Sequence, residues 1–349
     1  MSNTTVATII AFPLVLGTLI FVHELGHFIM AKTWRVKVFE FAMGFPPRLA
    51  SVRRGGTIYS INLLPLGGFV KMMGENGEDA GNPASFGAKP WWQRSLILVF
   101  GPFMNLSLAL LLFFITAAWI GSPVITNTVS AVSAGSPAQS AGLRHGDRIV
   151  AIDGTRVRQL ITLHNISERH LGQRVRLTVI RHGRPITVFL VPRAHPPAGQ
   201  GAMGVVMTVR AQTHPVGESI RLSFEGVGSM IMAVPNVISS IGAHGTQNIS
   251  GPVGIARLTG EAASSIPQTG WGDFLAFVAL LSANLGVLNL LPIPALDGGR
   301  LLLVLVSGVR RKNLNPELEG MIHLVGMAVL LMVIVLISYQ DIVRWVSGS

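Results

Sequence analysis

The residues best suited to chemistry are His23-Glu24-Leu25-Gly26-His27. On a helix, histidines at i and i+4 share one face a turn apart and can hold one zinc ion together. Glu24 stands beside them, placed to take a proton from a water that the zinc activates. Five residues in this pattern recur by chance in long chains, so the setting decides. The motif lies inside an apolar stretch, Val6–Ala31, whose one acidic residue is Glu24. Ionisable groups among apolar ones are expensive, and three of them together imply a shared purpose. The bland alternative is a polar contact between helices.

A catalytic zinc takes three protein ligands and keeps a place for water. The chain has no cysteine, so the third ligand must be His, Asp or Glu. Asp297 is the best candidate. It follows Asn289-Leu290-Leu291-Pro292-Ile293-Pro294-Ala295-Leu296 and precedes Gly298-Gly299. Prolines and glycines break a helix here, and irregular backbone at membrane depth is tolerated where it lines a site. His323 is the rival ligand, but it has no acidic neighbour and no helix break.

These residues need a membrane to sit in, and the composition supplies one. Of 349 residues, 12% are charged and 49% apolar, and the mean hydropathy is +0.53. That excludes a disordered chain and argues against a purely soluble one. A bilayer core needs about 20 apolar residues in a helix. Four stretches qualify: Val6–Ala31, Ser95–Ile120, Phe274–Leu296 and Met321–Tyr339. The net charge is +11, but basic residues are not clustered with aromatics, so nucleic acid is not expected as a partner.

Orientation follows from the flanks. Nothing basic precedes the first span, whereas Lys32–Arg94 and the Arg300–Lys312 region are rich in Lys and Arg. The positive-inside rule puts both basic loops in the cytoplasm, with the N-terminus, the C-terminus and the long middle segment outside. His27 lies four residues before Ala31, roughly 6 Å from the inner end of its span at 1.5 Å per residue. Asp297 closes the third span, also at its inner end. Charge alone thus places both halves of the site in one leaflet.

Residues 122–212 read as a soluble insert. Arg181-His182-Gly183-Arg184 between two alternating apolar runs signals a β-hairpin. Ser136–Val157 suggests a short helix from Ser136-Pro137 to Gly142, a turn at Asp147, and a strand closed by Asp153-Gly154. This run resembles the PDZ domains of bacterial envelope proteases, and PDZ domains take extended peptide ends by strand addition.

HELGH in the first span and LDGG after NLLPIP in the third together resemble the site-2 protease family of intramembrane zinc metalloproteases. The bacterial branch with a PDZ insert, similar to the regulator-of-sigma-E protease, fits best. Phe100–Asn105 matches the family's GPxxN in the second span, and Ser250–Gly254 its GPxG segment. Thr57–Met72 is similar to the membrane-associated β-hairpin that follows the first span. The resemblance implies His23, His27 and Asp297 as zinc ligands, Glu24 as general base, and Asn284 and Asn289 as residues that help hold the substrate. Two features depart from the pattern. Pro46-Pro47 follows Gly44-Phe45 where many relatives have Gly, and a single PDZ pattern is visible where some have two.

A substrate helix must unwind before its peptide bonds are exposed, and a β-edge supplies partners for the freed groups. Ile58, Tyr59, Ser60, Ile61 and Asn62 are expected to form that edge. The reading is therefore a polytopic α-helical membrane protein with about four spans, a membrane-associated β-hairpin and an inserted PDZ-like domain. Its parts are a first membrane half (1–121), the PDZ domain (122–212), a linker with an interfacial helix (213–270) and a second membrane half (271–349). The expected function is zinc-dependent cleavage of single-span membrane proteins in the bacterial inner membrane, with anti-sigma factors or remnant signal peptides as substrates. The alternative is a non-catalytic PDZ adaptor, for which an intact Glu24 has no use. A transporter would need inverted repeats, and none is visible.

Overall fold

A computed structural model describes residues 3–75, 81–157, 169–197, 200–244, 251–310 and 316–347. The chain runs through α1 (Asn3–Thr33), β1 (Val38–Arg54), β2 (Thr57–Met72) and α2 (Trp91–Ile115), which a π-helical turn, Thr116–Ile120, continues. It then passes through β3 (Ser122–Val132), α3 (Pro137–Ser140), β4 (Arg148–Ile152), β5 (Thr155–Arg156), β6 (Val175–Arg181), β7 (Arg184–Leu190) and β8 (Val205–Gln212). It returns as α4 (Val216–His244), α5 (Pro252–Ser264), α6 (Ile266–Thr269), α7 (Trp271–Leu290), α8 (Asp297–Arg310) and α9 (Pro316–Ser347). Two compact units result: Ile120–Thr213, and the segments before and after it.

Among the described residues of the larger unit, four helices are long and apolar enough to cross a membrane, over Thr4–Thr33, Trp91–Ile120, Trp271–Leu290 and Gly320–Arg344. Each falls on one of the four apolar stretches of the sequence. The third helix ends sooner than its apolar run, because Leu291 is already extended and Pro292 and Pro294 lack the N–H a helix needs. Asp297 therefore does not close α7 but opens α8.

Helix packing here depends on small residues, as expected where lipid offers no hydrophobic drive between helices. A Cβ on Gly26 of α1 would overlap the Phe100 carbonyl of α2, and one on Gly101 would overlap the His27 ring. The α1 and α2 backbones thus nearly touch at the level of the histidines. Of the Ser250–Gly254 segment, Ser250 lies outside the described residues and Gly251–Gly254 open α5, whose N-cap, Gly251, offers no side chain. Asp341 of α9 replaces it: its Oδ2 accepts from the Gly254 N–H at 2.8 Å, at the helix end that favours negative charge. The segment read as an interfacial helix is α4, which continues through Pro235. Its middle turn packs on the spans themselves, with Val227 against Ala109 of α2 and Ala283 of α7.

The expected hairpin takes a different form. Thr57–Met72 is one long strand, and its partner is β1, joined through Gly55-Gly56. Both strands bend, so the pairing is double. Glu40–Met43 face Ile58–Ile61 on one side and Gly68–Lys71 on the other. Arg48–Arg54 pair with the outer side of Thr57–Asn62. The Gly44–Pro47 segment is a bend within β1 rather than a loop, and the Asn62 side chain donates to the Gly44 carbonyl at 2.9 Å.

The smaller unit is a sheet in the order β7-β6-β4-β3-β8, with β5 paired to β4. Val175, Leu177 and Val179 alternate inward from β6 and meet Val129, Ile149, Ile152 and Val188 in its core. The β6–β7 turn is His182-Gly183, both at positive φ, as a two-residue hairpin of this twist requires. Fully buried Asp147 accepts from Arg181 Nε and Nη2, each at 2.7 Å, and from the Arg144 N–H at 2.8 Å. Burial pushes the Asp147 carboxyl up, but the Arg181 hydrogen bonds and the Arg144 N–H outweigh it and hold it below its ordinary 3.8. With the folded value depressed, the stabilisation is fully present above that ordinary value and is lost as pH falls through the folded one. Arg181→Met leaves a buried carboxylate unpaired and should cost the unit about 3 kcal/mol. Hydrogen exchange of the β6 amides in the full-length protein checks this, with about 100-fold faster exchange expected at 1.4 kcal/mol per tenfold.

Candidate metal centre

His23, Glu24 and His27 all stand on α1, and Asp297 is the first residue of α8. His23 Nε2 lies 2.9 Å from Asp297 Oδ2, and His27 Nε2 lies 3.3 Å from the same oxygen. The two Nε2 atoms are 3.2 Å apart. The three ligand atoms fall within 4.8 Å of one another, and no other such group of His, Cys, Asp or Glu occurs among the described residues. Both histidines are buried and Asp297 is half-buried.

Each of the three residues is held from behind. His27 Nδ1 donates to the Ile97 carbonyl of α2 at 2.8 Å, which leaves the Nε2 lone pair directed at Asp297 and His23. His23 Nδ1 is 3.3 Å from Asn105 Nδ2 of α2. Asp297 depends on a tight turn. Cβ atoms on Gly298 and Gly299 would overlap the carbonyls of Leu290, Leu291 and Ile293, so larger residues would push α8 off the end of α7. His323 is not part of the cluster. Its Nδ1 accepts from the Ala295 N–H at 3.3 Å and fixes the turn, where Ala295 has φ +80°.

The cluster opens into a cavity of about 320 Å³, with Glu24 on its wall. One side of that cavity is the Gly68–Met72 end of β2. A Cβ on Gly68 would lie 3.2 Å from Glu24 Cγ, so the general-base candidate sits directly against this strand. Arg300 and Glu75 form an ion pair at the cavity wall, and Glu75 Oε2 also accepts from the Met72 N–H at 3.4 Å.

Two groups of expected site residues lie elsewhere. Ile58–Ile61 have partners on both sides, so they are interior to the sheet and offer no edge. Tyr59 packs on Phe28 and Phe41, Ser60 donates to Glu40, and Asn62 is tied to Gly44. Asn284 is exposed, Asn289 is half-buried, and neither lines the cavity. Residues given no site role from sequence are Gly68–Met72, Glu75, Arg300 and the Asn105 amide. Gly68–Met72 lay in the expected hairpin segment, and Asn105 ended the GPxxN match and stands as a lone amide in an uncharged apolar span.

The residues present suit a divalent metal. Two imidazoles and a carboxylate converge with one side open to a cavity, which is the donor set of a catalytic rather than a closed structural site. The His27 tautomer imposed by Ile97 is the one a metal ligand needs. Comparison with known proteins agrees. The chain is 29% identical to the zinc metalloprotease RasP of Geobacillus kaustophilus, over 98% of this chain and 99% of that protein. It is 27% identical to the regulator of sigma-W protease RasP of Bacillus subtilis, over 97% and 99%. A profile of peptidase family M50 matches residues 11–333, a stretch that includes every member of the cluster and the strand beside it, and the chain belongs to that family.

Proposed function

We propose that this chain is a zinc metalloprotease that cuts substrates within the bacterial inner membrane, with His23, His27 and Asp297 as ligands and Glu24 as general base. The observation that carries this reading is the convergence of the three ligand atoms beside Glu24, on helices apolar enough to lie in lipid. The naming of its relatives as zinc metalloproteases supports the choice of metal.

When bound, zinc polarises the scissile carbonyl and makes water nucleophilic near neutral pH. Glu24 takes a proton as the water oxygen adds to the peptide carbon, and delivers it to the nitrogen as the C–N bond breaks. The Gly68–Met72 edge holds the substrate as an added strand, in place of the Ile58–Asn62 edge expected from sequence. Single-span membrane proteins are the substrate class, including anti-sigma factors or remnant signal peptides. The description of the Bacillus subtilis relative as a regulator of sigma-W supports the first of these. The termini and the 120–213 unit lie outside and the metal toward the cytoplasmic leaflet, a reading supported by the basic loops. That unit serves as a PDZ domain for peptide ends. Its support is the Ser136–Val157 pattern, carried on α3, β4 and β5, and the position of β8 at the end of the sheet.

Purified protein should carry about one zinc per chain. Asp297→Ala should lose most of it and His323→Ala should keep it, as read by metal analysis of the two variants. The reverse result would move the third ligand to α9. Glu24→Gln keeps shape and hydrogen bonding but removes the base. It should retain zinc and lose at least ~100-fold in turnover of a single-span substrate on gels. Near-native cleavage by Glu24→Gln would defeat this mechanism.

A further inference from the structure

The two histidines are supported differently from behind. His27 leans on a main-chain carbonyl, whereas the partner of His23 Nδ1 among the described residues is a side chain, Asn105. Asn105 is completely buried, one turn beyond Gly101 on α2, and its own main-chain carbonyl accepts from Ser282 Oγ of α7 at 2.8 Å. Its Nδ2 faces His23 Nδ1, while its Oδ1 is buried without a hydrogen-bond partner among the described residues. A buried, unpartnered amide oxygen is costly and calls for a reason.

The ring beside it supplies one. An imidazole that ligates through Nε2 carries its proton on Nδ1, and that N–H needs an acceptor. The Nδ2 end of the amide cannot serve, because it is itself a donor. The two ends of an amide are nearly equal in size, so turning it over brings Oδ1 to His23 Nδ1 without moving a neighbour. We propose that Asn105 is a positioning residue for zinc: its Oδ1 accepts from His23 Nδ1–H, fixes the ligating tautomer and the ring plane, and thereby sets zinc affinity. This rests on the zinc reading of the same cluster.

The test is zinc affinity in detergent, by competition with a chromophoric chelator. Asn105→Leu keeps the volume and removes the acceptor, and should weaken zinc binding 10- to 100-fold, the usual effect of losing an outer partner of a ligand. Asn105→Asp keeps an acceptor at the same place and should bind zinc within about threefold of the parent or more tightly, since carboxylate partners raise ligand basicity. Ser282→Ala removes the bond to the Asn105 main chain but not the amide, and should leave affinity unchanged. Retention by Asn105→Leu, or an equal loss in Asn105→Asp, would overturn the proposal. So would a loss in Ser282→Ala as large as that in Asn105→Leu, since helix packing would then be the cause. If Asn105→Leu does not fold, Asn105→Asp decides alone: retention supports the proposal and a tenfold loss refutes it. A parent protein that takes up no zinc would instead refute the metal reading itself.

Discussion

Two imidazoles and two carboxylates among membrane helices must satisfy one another, and much of the larger unit follows from that requirement. An isolated ionised group in an apolar interior costs several kcal/mol even after relaxation. Here the burden is divided, because His23 and His27 meet Asp297 and Glu24 stands beside them. Three of the four come from two turns of α1. The fourth comes from a residue far along the chain, so the remaining elements must bring the start of α8 against the last third of α1.

That task falls to α2 and to the turn before α8. Gly101 leaves room for the His27 ring, Ile97 gives up a carbonyl to it, and Asn105 reaches His23. Side chains larger than hydrogen at positions 26 and 101 would separate the helices and move the ligands off their partners. The Asp297 turn is fixed from two directions. Gly298 and Gly299 press it onto the end of α7, and His323 holds the Ala295 N–H from α9. The carboxylate also sits at the N-terminus of α8, where the helix dipole favours negative charge. A histidine outside the cluster thus still serves it, through the backbone that carries Asp297.

The cluster of His23, His27 and Asp297 was legible because it is local or is announced by a break. An i,i+4 histidine pair on an apolar helix has few other uses, and Pro292, Pro294, Gly298 and Gly299 mark where regular structure must stop. The four membrane helices were legible from length and composition. The β-sheet was not. Ile58–Asn62 was expected to be the edge, yet Ile58–Ile61 are paired on both sides and stand inside the sheet. The neighbour of the site, Gly68–Met72, begins at the second of two glycines, Gly67-Gly68, that weaken any strand signal. A bent strand whose halves flank the same partner is a tertiary arrangement, and no local periodicity encodes it. The ion pair of Glu75 with Arg300 was equally hidden, since the two lie on elements distant in sequence.

The bend in β2 explains why a strand edge stands beside the ligands at all. Peptide groups in a transmembrane helix are satisfied within that helix, and each one freed in lipid costs several kcal/mol. On the proposed reading, unwinding is affordable only where new partners wait. The first half of β2 is covered by Arg48–Arg54 on its outer side. The second half has Val38–Met43 on one side and the cavity on the other. The open edge is short. Beyond Lys71, the Met72 N–H is already taken by Glu75, which Arg300 ties to the helix that carries Asp297. On that reading, a peptide laid on this edge is stopped at one end by the element that carries Asp297. The same reading has one short edge set both the length of chain held extended and the place where it meets Glu24.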